Sequence, residues 1–169
     1  MTHPTATGRR DQRDGTTYVE FRREFRAPIT DVWASVTEPA RLERWIGTWS
    51  GDPASGSIEF RMTAEGEDAP AETHRIVACD PPRHLVTEST GAGEETVWRL
   101  ELDLAEAGGV TVLTFAQRLE EAIQVESVGP GWDYYLDRLV VAHDGRDVAG
   151  VVWDDYYPAL ADHYRAEFG

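Results

Sequence analysis

Histidines are the first residues to consider for chemistry, because imidazole can transfer a proton or bind a metal near neutral pH. The chain has five, at positions 3, 74, 84, 143 and 163, and no pair has the HxH or HExxH spacing of a metal site. The sequence also has no GxSxG nucleophile motif, P-loop or dinucleotide-binding fingerprint. We therefore expect no metal and no cofactor, and we assign no catalytic residue.

The polar residues that could anchor a ligand are Arg23, His74 and Tyr135. The strand that begins near Tyr18 alternates apolar and charged residues, and Arg23 falls on its apolar face. Either the strand twists at Arg23 or its long side chain extends out to solvent, or the side chain carries a cation into a cavity and binds an anionic ligand group. His74 is in register with Ile76 on a later strand and could face the same cavity.

Three other reactive side chains have ordinary structural interpretations. Cys79 has no cysteine partner, which excludes an intramolecular disulfide, and we predict a small buried residue at a strand end. Asp133 and Asp137 lie four residues apart on a predicted helix, so they share a face. That face is either solvated or contributes polar groups to the mouth of a pocket.

Aromatic and apolar side chains give a stronger indication of a ligand cavity. Pockets are mostly apolar with few polar anchors, although a core needs the same residues, so core packing and pocket lining both remain open. Together with the polar anchors, the candidate lining residues are Arg23, Trp45, Trp49, Phe60, Met62, His74, Trp98, Phe115, Trp132, Tyr135, Leu136 and Leu139.

The order of the predicted elements restricts the fold that positions these residues. The first strand leads to two short helices, one beginning at Pro28 and the other N-capped by Thr37 and ending at Gly47. Strands and turns typical of an antiparallel meander follow. An amphipathic helix over residues 129–145 then begins with Gly-Pro-Gly-Trp. This order predicts an α+β protein whose curved antiparallel sheet wraps around the last helix.

The length of 169 residues is typical of one domain, here with a segment added at each end. Residues 1–16 are polar and are predicted to be a disordered tail. Residues 17–145 carry the domain itself. Residues 146–169 are predicted to be an aromatic extension packed on the same domain.

Charge and hydropathy exclude several classes of partner. The formal net charge of −15 argues against nucleic acid and anionic membrane surfaces, since both would repel the chain. No apolar run has the length of a membrane-spanning helix, and the N-terminus has no apolar signal segment. We therefore expect a cytoplasmic protein that binds neither nucleic acid nor membrane.

Several short motifs occur in an order shared with a known superfamily. They are Ala27-Pro28, Val32-Trp33, Glu38-Pro39, Trp45, Pro82, Leu85, Gly131-Trp132 and Leu136-Asp137-Arg138-Leu139. Over residues 18–145 the chain resembles the START-like (SRPBCC) superfamily, and within it bacterial homologues of the C-terminal domain of the heat-shock chaperone ATPase activator. The resemblance implies the helix-grip (START-like/Bet v-like) fold. It implies no single activity, because the superfamily includes lipid carriers, hormone receptors, polyketide cyclases and chaperone activators.

Our leading functional prediction is the binding of a small hydrophobic or amphipathic molecule in a cavity between sheet and helix. Two alternatives remain open: a chaperone-cofactor-like interaction module, for which the sequence gives no direct support, and an enzyme of cyclase or hydrolase type that uses the cavity as a template. The aromatic C-terminal segment also makes a homodimer conceivable, since twofold pairing is the commonest oligomeric arrangement.

Overall fold

Alternating apolar residues produce a sheet of antiparallel strands, seen in a computed structural model that describes residues 3–90, 96–121 and 123–169. In chain order the described elements are β1 (Arg9–Arg13), β2 (Thr16–Phe25), α1 (Ile29–Thr37), α2 (Pro39–Leu42), β3 (Thr48–Ser50), β4 (Ser57–Arg61), β5 (Ala71–Asp80), β6 (His84–Thr90), β7 (Val97–Ala107), β8 (Val110–Arg118), α3 (Val125–His143) and α4 (Ala161–Phe168). The strands are ordered β1-β2-β8-β7-β6-β5-β4-β3 across the sheet.

The core lies where β2 and β8 face the long helix α3. Phe21 on β2 pairs with Phe115 on β8, and their ring centroids are 6.3 Å apart. Leu136 and Leu139 of α3 are buried in the same cluster. The α+β prediction, with a sheet around a long helix and two short helices after the strand that enters the domain, is confirmed.

Three helix starts differ from the sequence prediction. Helix α1 begins at Ile29, and Pro28 is its N-cap instead of its first residue.

The N-cap of α2 is Glu38 rather than Thr37, and α2 ends at Leu42 instead of reaching Gly47. Proline explains this start, because Pro39 occupies the first helical position, where its missing N–H costs no hydrogen bond.

The long helix α3 begins at Val125, so the prediction that Gly-Pro-Gly opens it is wrong. Pro130 lies inside the helix, and the glycines on either side of it have different surroundings. An added Cβ at Gly129 would lie 2.5 Å from the Tyr164 ring, whereas one at Gly131 would meet no atom within 4 Å. Gly129 is therefore required for close packing, and Gly131 leaves space free.

This difference predicts opposite effects for two alanine substitutions on one helix. Gly131→Ala should raise the free energy of unfolding by about 1 kcal/mol, because glycine is a poor helix former. Gly129→Ala should lower it by about 1–3 kcal/mol, the usual cost of overpacking a core. Urea unfolding followed by circular dichroism would measure both, and stabilisation by both substitutions would contradict the assignment.

The prediction of a disordered tail over residues 1–16 is wrong for most of its length. Arg9–Arg13 forms β1, which pairs antiparallel with β2, while residues 1 and 2 lie outside the described residues. Asp14 and Gly15 connect the strands with φ angles of 50° and 81°, and positive angles at both positions are typical of tight hairpin turns. Arg13 also forms ion pairs with Glu20 and Glu101, which explains how so polar a segment is ordered.

The end of the chain lies against the start of α3 and the N-terminal segment. Tyr164 of α4 is fully buried, with its ring centroid 6.3 Å from that of Phe21. The Tyr164 hydroxyl accepts a hydrogen bond of 3.0 Å from the N–H of Gly8. Within the described ranges, no helix is both long and apolar enough to cross a membrane.

Candidate functional site

A cavity of about 1030 Å³ lies between the inner face of the sheet and α3. Strands β4 to β8 form one wall, α3 forms the opposite wall, and α1 with α2 closes one end. Its volume is at the upper limit of ordinary small-molecule sites, which enclose about 300–1,000 Å³. The fold therefore leaves space for a ligand of many atoms.

All six tryptophans of the chain line this cavity. They are Trp33, Trp45, Trp49, Trp98, Trp132 and Trp153. Three indole N–H groups donate to protein oxygens: Trp45 to the carbonyl of Ser35 at 2.9 Å, Trp49 to the carbonyl of Thr37 at 2.7 Å, and Trp132 to Gln117 Oε1 at 2.6 Å. These bonds hold the three rings in fixed positions, so much of the wall is rigid and aromatic.

Helix α3 presents two adjacent stripes, and only one of them faces the cavity. The cavity stripe contains Ser127, Val128, Gly131, Trp132, Tyr134 and Tyr135.

The neighbouring stripe contains Leu136 and Leu139, which are fully buried in the core and do not line the cavity. Their assignment as lining residues is therefore wrong. Successive residues of a helix are rotated by about 100° around its axis, and this rotation turns Leu136 away from the cavity that Tyr135 lines. Leu139 instead lines a separate polar pocket of about 170 Å³ between α1, α2 and the end of α3.

The sheet wall carries a polar pair between apolar neighbours. His74 on β5 lies directly opposite Ser89 on β6, and both line the cavity. The next strands add Ile58 opposite His74 and Trp98 opposite Ser89. Directly opposed residues on one face have Cβ atoms about 5 Å apart, so a single ligand group can contact both polar side chains.

His74 is held as a neutral imidazole. Burial lowers the pKa of His74 from its ordinary value, and the nearby Glu59 opposes this only in part. The His74 ring centroid lies 5.2 Å from that of Phe60. Among the described residues no side chain or backbone group hydrogen-bonds to the His74 ring, so its nitrogens are available to a ligand.

The cavity mouth lies between α3 and two short turns. The Tyr135 hydroxyl donates a hydrogen bond of 3.2 Å to Glu65 Oε1, which connects α3 to the segment after β4. Burial raises the pKa of Tyr135, so its hydroxyl keeps its proton at neutral pH. From the C-terminal segment, Trp153 packs edge-on against Tyr134 with ring centroids 5.3 Å apart. The aromatic extension thus contributes to the rim.

Arg23 does not reach the cavity, so its prediction as a ligand anchor is wrong. Its side chain is on the inner face of β2 and only 10% exposed, but α3 covers it with two carboxylates. Arg23 Nη2 lies 3.1 Å from Asp133 Oδ1, and Arg23 Nε lies 3.1 Å from Asp137 Oδ1. These pairs neutralise the guanidinium inside the protein.

Asp133 is fully buried, which overturns its interpretation as part of a solvated face. Besides Arg23, its carboxylate accepts hydrogen bonds from the Tyr164 hydroxyl and from the hydroxyl and backbone N–H of Thr7. Asp137 is partly exposed and accepts a bond of 2.6 Å from the Tyr156 hydroxyl. The two aspartates join both ends of the chain to α3 instead of serving a pocket.

The structure brings most of the predicted lining residues together around one cavity. They are Trp45, Trp49, Phe60, Met62, His74, Trp98, Phe115, Trp132 and Tyr135. Three further lining residues were not predicted: Trp33, Ser89 and Trp153. The alternation of β6 could have identified Ser89. No periodicity identifies Trp153, because it lies in a 3-10 turn.

Cys79 is exposed and lines the cavity instead of being buried. A register shift between Ile76 and Ala78 changes which residues of β5 face inward. Across the described ranges, no group of three or more histidine, cysteine or acidic residues is arranged to hold a metal ion.

Solved structures with a similar fold confirm the architecture. CalU16 from Micromonospora echinospora superposes with a TM-score of 0.70 at 23% identity, covering 95% of each chain. A conserved protein of unknown function from Enterococcus faecalis gives a TM-score of 0.70 at 18% identity, covering 95% of this chain and 89% of the other. DynU16, a protein in the dynemicin biosynthetic locus, gives a TM-score of 0.66 at 21% identity, covering 78% of this chain and 49% of the other.

No curated protein matches the chain in sequence. The family model described as Activator of Hsp90 ATPase homolog 1-like protein matches residues 26–144, from the end of β2 to the end of α3. The chain therefore belongs to the Activator of Hsp90 ATPase homolog 1-like family, within the START-like superfamily and its helix-grip fold.

Proposed function

We propose that this protein binds a small hydrophobic or amphipathic molecule in the cavity between the sheet and α3. The observation that supports this most strongly is the concentration of all six tryptophans on the walls of one cavity of about 1030 Å³. A protein that needs aromatic residues only for its core can fill the space between them. Here the space stays open, and transferring an apolar ligand from water into it is favourable.

Nile red, an uncharged dye whose emission rises in apolar surroundings, tests this proposal. The purified protein should increase the dye emission with saturable, one-to-one binding. A double variant that projects indoles from opposite walls, Gly131→Trp with Thr87→Trp, should weaken binding about tenfold or more, because the added rings occupy ligand volume. Gly131 tolerates the change, since an added Cβ there meets no atom within 4 Å.

A matched control places the same two indoles outside the cavity. Val77 on β5 and Gly150 after α3 are both exposed, and neither lines the cavity. The variant Val77→Trp with Gly150→Trp should bind Nile red as the unmodified protein does. If the cavity variant binds equally well, or the control loses binding to the same extent, the dye binds elsewhere and the proposal fails.

Catalysis in the same cavity is a second candidate, favoured by one observation. His74 is a neutral imidazole facing the cavity beside Ser89, so it can accept a proton as a general base. If the protein is found to catalyse a reaction, His74→Ala should abolish that activity. An unchanged rate in the variant would show that His74 has no catalytic role.

The remaining functional expectations stay predictions. A chaperone-cofactor role calls for a contiguous exposed apolar surface, and three exposed large apolar residues, Val152, Trp153 and Tyr157, lie together in the C-terminal segment. Trp153 also lines the cavity, so this cluster is compatible with either role. A pull-down that finds no partner, with no stimulation of a chaperone ATPase, would rule against the chaperone-cofactor role. The homodimer and the cytoplasmic location likewise remain to be measured.

A further inference from the structure

The electrostatic character of the cavity restricts the ligands that it can hold. The chain contains no lysine, and no arginine is among the described lining residues, whereas Glu65 and Glu72 both contribute. The arginine predicted to enter the cavity, Arg23, is instead paired with Asp133 and Asp137 behind α3.

The Arg138 guanidinium lies beside the lining residues Trp45 and Tyr134, but it already donates to the Trp45 carbonyl and the Tyr134 hydroxyl. A carboxylate bound at the sheet wall would therefore leave water without a lining cation to pair with, which is unfavourable.

The histidine of the sheet wall does not supply the missing cation. Burial lowers the pKa of His74, so the ring is uncharged at neutral pH and can exchange a hydrogen bond but not form an ion pair. His74 therefore suits a neutral polar group.

Ser89 completes a polar site that is otherwise surrounded by apolar side chains. It is 8% exposed, directly opposes His74, and among the described residues has no hydrogen-bond partner for its hydroxyl. Ile58 and Trp98 lie on either side of the pair across the sheet. Neither polar group is among the fully buried unpaired atoms of the described residues, so both are open to the cavity and can hydrogen-bond to a ligand that enters it.

We infer that His74 and Ser89 form the polar anchor of the cavity, which takes an uncharged ligand through a hydroxyl or carbonyl group and rejects a carboxylate on the same skeleton. This inference rests on the proposed function and specifies its ligand class. An imidazole nitrogen and a serine hydroxyl can each donate or accept, so together they satisfy one hydroxyl in both directions.

Three pyrene probes separate the effect of charge from that of the apolar skeleton. Pyrene, pyrenemethanol and pyrenecarboxylic acid share one ring system, and only the acid is ionised at neutral pH. Quenching of tryptophan emission should show pyrenemethanol binding at least about tenfold more tightly than the acid, because the acid finds no cation in the cavity. Binding of the acid as tightly as the alcohol would overturn the inference.

Two serine variants then test the anchor itself. Ser89→Ala should weaken pyrenemethanol about fivefold, the loss of one hydrogen bond, and leave pyrene unchanged. Ser50→Ala is the matched control and should leave both probes unaffected, since Ser50 is exposed on β3 and does not line the cavity. Equal losses for pyrene and pyrenemethanol in Ser89→Ala would overturn the anchor.

The Nile red measurement shows whether a negative result with the pyrene probes contradicts only the inferred ligand class or also the proposed binding function. If Nile red binds in the cavity but the alcohol shows no advantage over the acid, the inferred ligand class is wrong and the binding function stands. If neither Nile red nor any pyrene probe binds, both are wrong.

Discussion

Replacing Asp133 with alanine is expected to lower the free energy of unfolding by about 3–5 kcal/mol, the usual cost of removing one partner from a buried ion pair. Asp133 is completely buried, and its partner Arg23 is 10% exposed. Without the carboxylate, a guanidinium remains largely out of water with only the partly exposed Asp137 as its counter-charge.

The loss extends beyond the ion pair because Asp133 accepts hydrogen bonds from three parts of the chain. Arg23 approaches from β2, Thr7 from the N-terminal segment and Tyr164 from α4. The Thr7 hydroxyl also accepts a bond of 2.9 Å from Arg23 Nη1, so the groups form one connected network. Removing an acceptor at the centre leaves several buried donors unpaired, each of which is unfavourable.

Asp137→Ala is the matched control on the same helix. The Asp137 side chain is 36% exposed, so water can replace it as a partner of Arg23 and Tyr156, and we expect a loss of about 1 kcal/mol. Urea unfolding of both variants provides the comparison. If Asp133→Ala lowers the free energy of unfolding no more than Asp137→Ala does, the buried carboxylate is dispensable.

Removing both charges, with Arg23→Met and Asp133→Leu, should lower the free energy of unfolding by less than Asp133→Ala alone.

The general fold could be predicted because its main signals are periodic. The alternation in β2 and the helical stripe of α3 each indicate one buried face. The N-terminal strand was missed because its composition is polar. β1 gains its order from the Asp14-Gly15 turn and from ion pairs across the sheet, rather than from burial of its own side chains.

The candidate site could be predicted only in part, for a different reason. Periodicity shows that Arg23, Leu136 and Phe115 point inward, but it does not show what lies opposite each of them. Phe115 faces the cavity, Leu136 faces the packed core, and Arg23 faces Asp133. That distinction depends on how α3 lies across the sheet, which is a tertiary property.

A second large effect is expected at Tyr164, whose replacement by alanine should lower the free energy of unfolding by about 3–5 kcal/mol. The residue is fully buried, its ring packs against Phe21, and its hydroxyl connects Asp133 with the N–H of Gly8. Burial, reinforced by the Asp133 carboxylate, raises the pKa of Tyr164, so the hydroxyl remains a donor throughout the neutral range. Tyr164→Phe keeps the ring and should cost about 1–3 kcal/mol for the unpaired partners.

An exposed tyrosine of the same segment separates this effect from a general loss of aromatic surface. Tyr157 is 37% exposed and stacks on Trp153, so Tyr157→Ala should change the free energy of unfolding by about 0.5 kcal/mol or less. Equal losses at the two positions would contradict the assignment of Tyr164 to the core.

The contact between Tyr164 and Gly129 predicts that the effect of Gly129→Ala on the free energy of unfolding changes sign when Tyr164 is removed. In the unmodified protein, Gly129→Ala should destabilise, because its Cβ would lie within 2.6 Å of three atoms of the Tyr164 ring. In a Tyr164→Ala background the ring is gone, and the same substitution should stabilise by about 1 kcal/mol through helix propensity alone. Urea unfolding of the four proteins completes a double-mutant cycle, whose coupling energy reports this contact. A Gly129→Ala effect of the same sign in both backgrounds would show that α4 does not pack on α3 at this point.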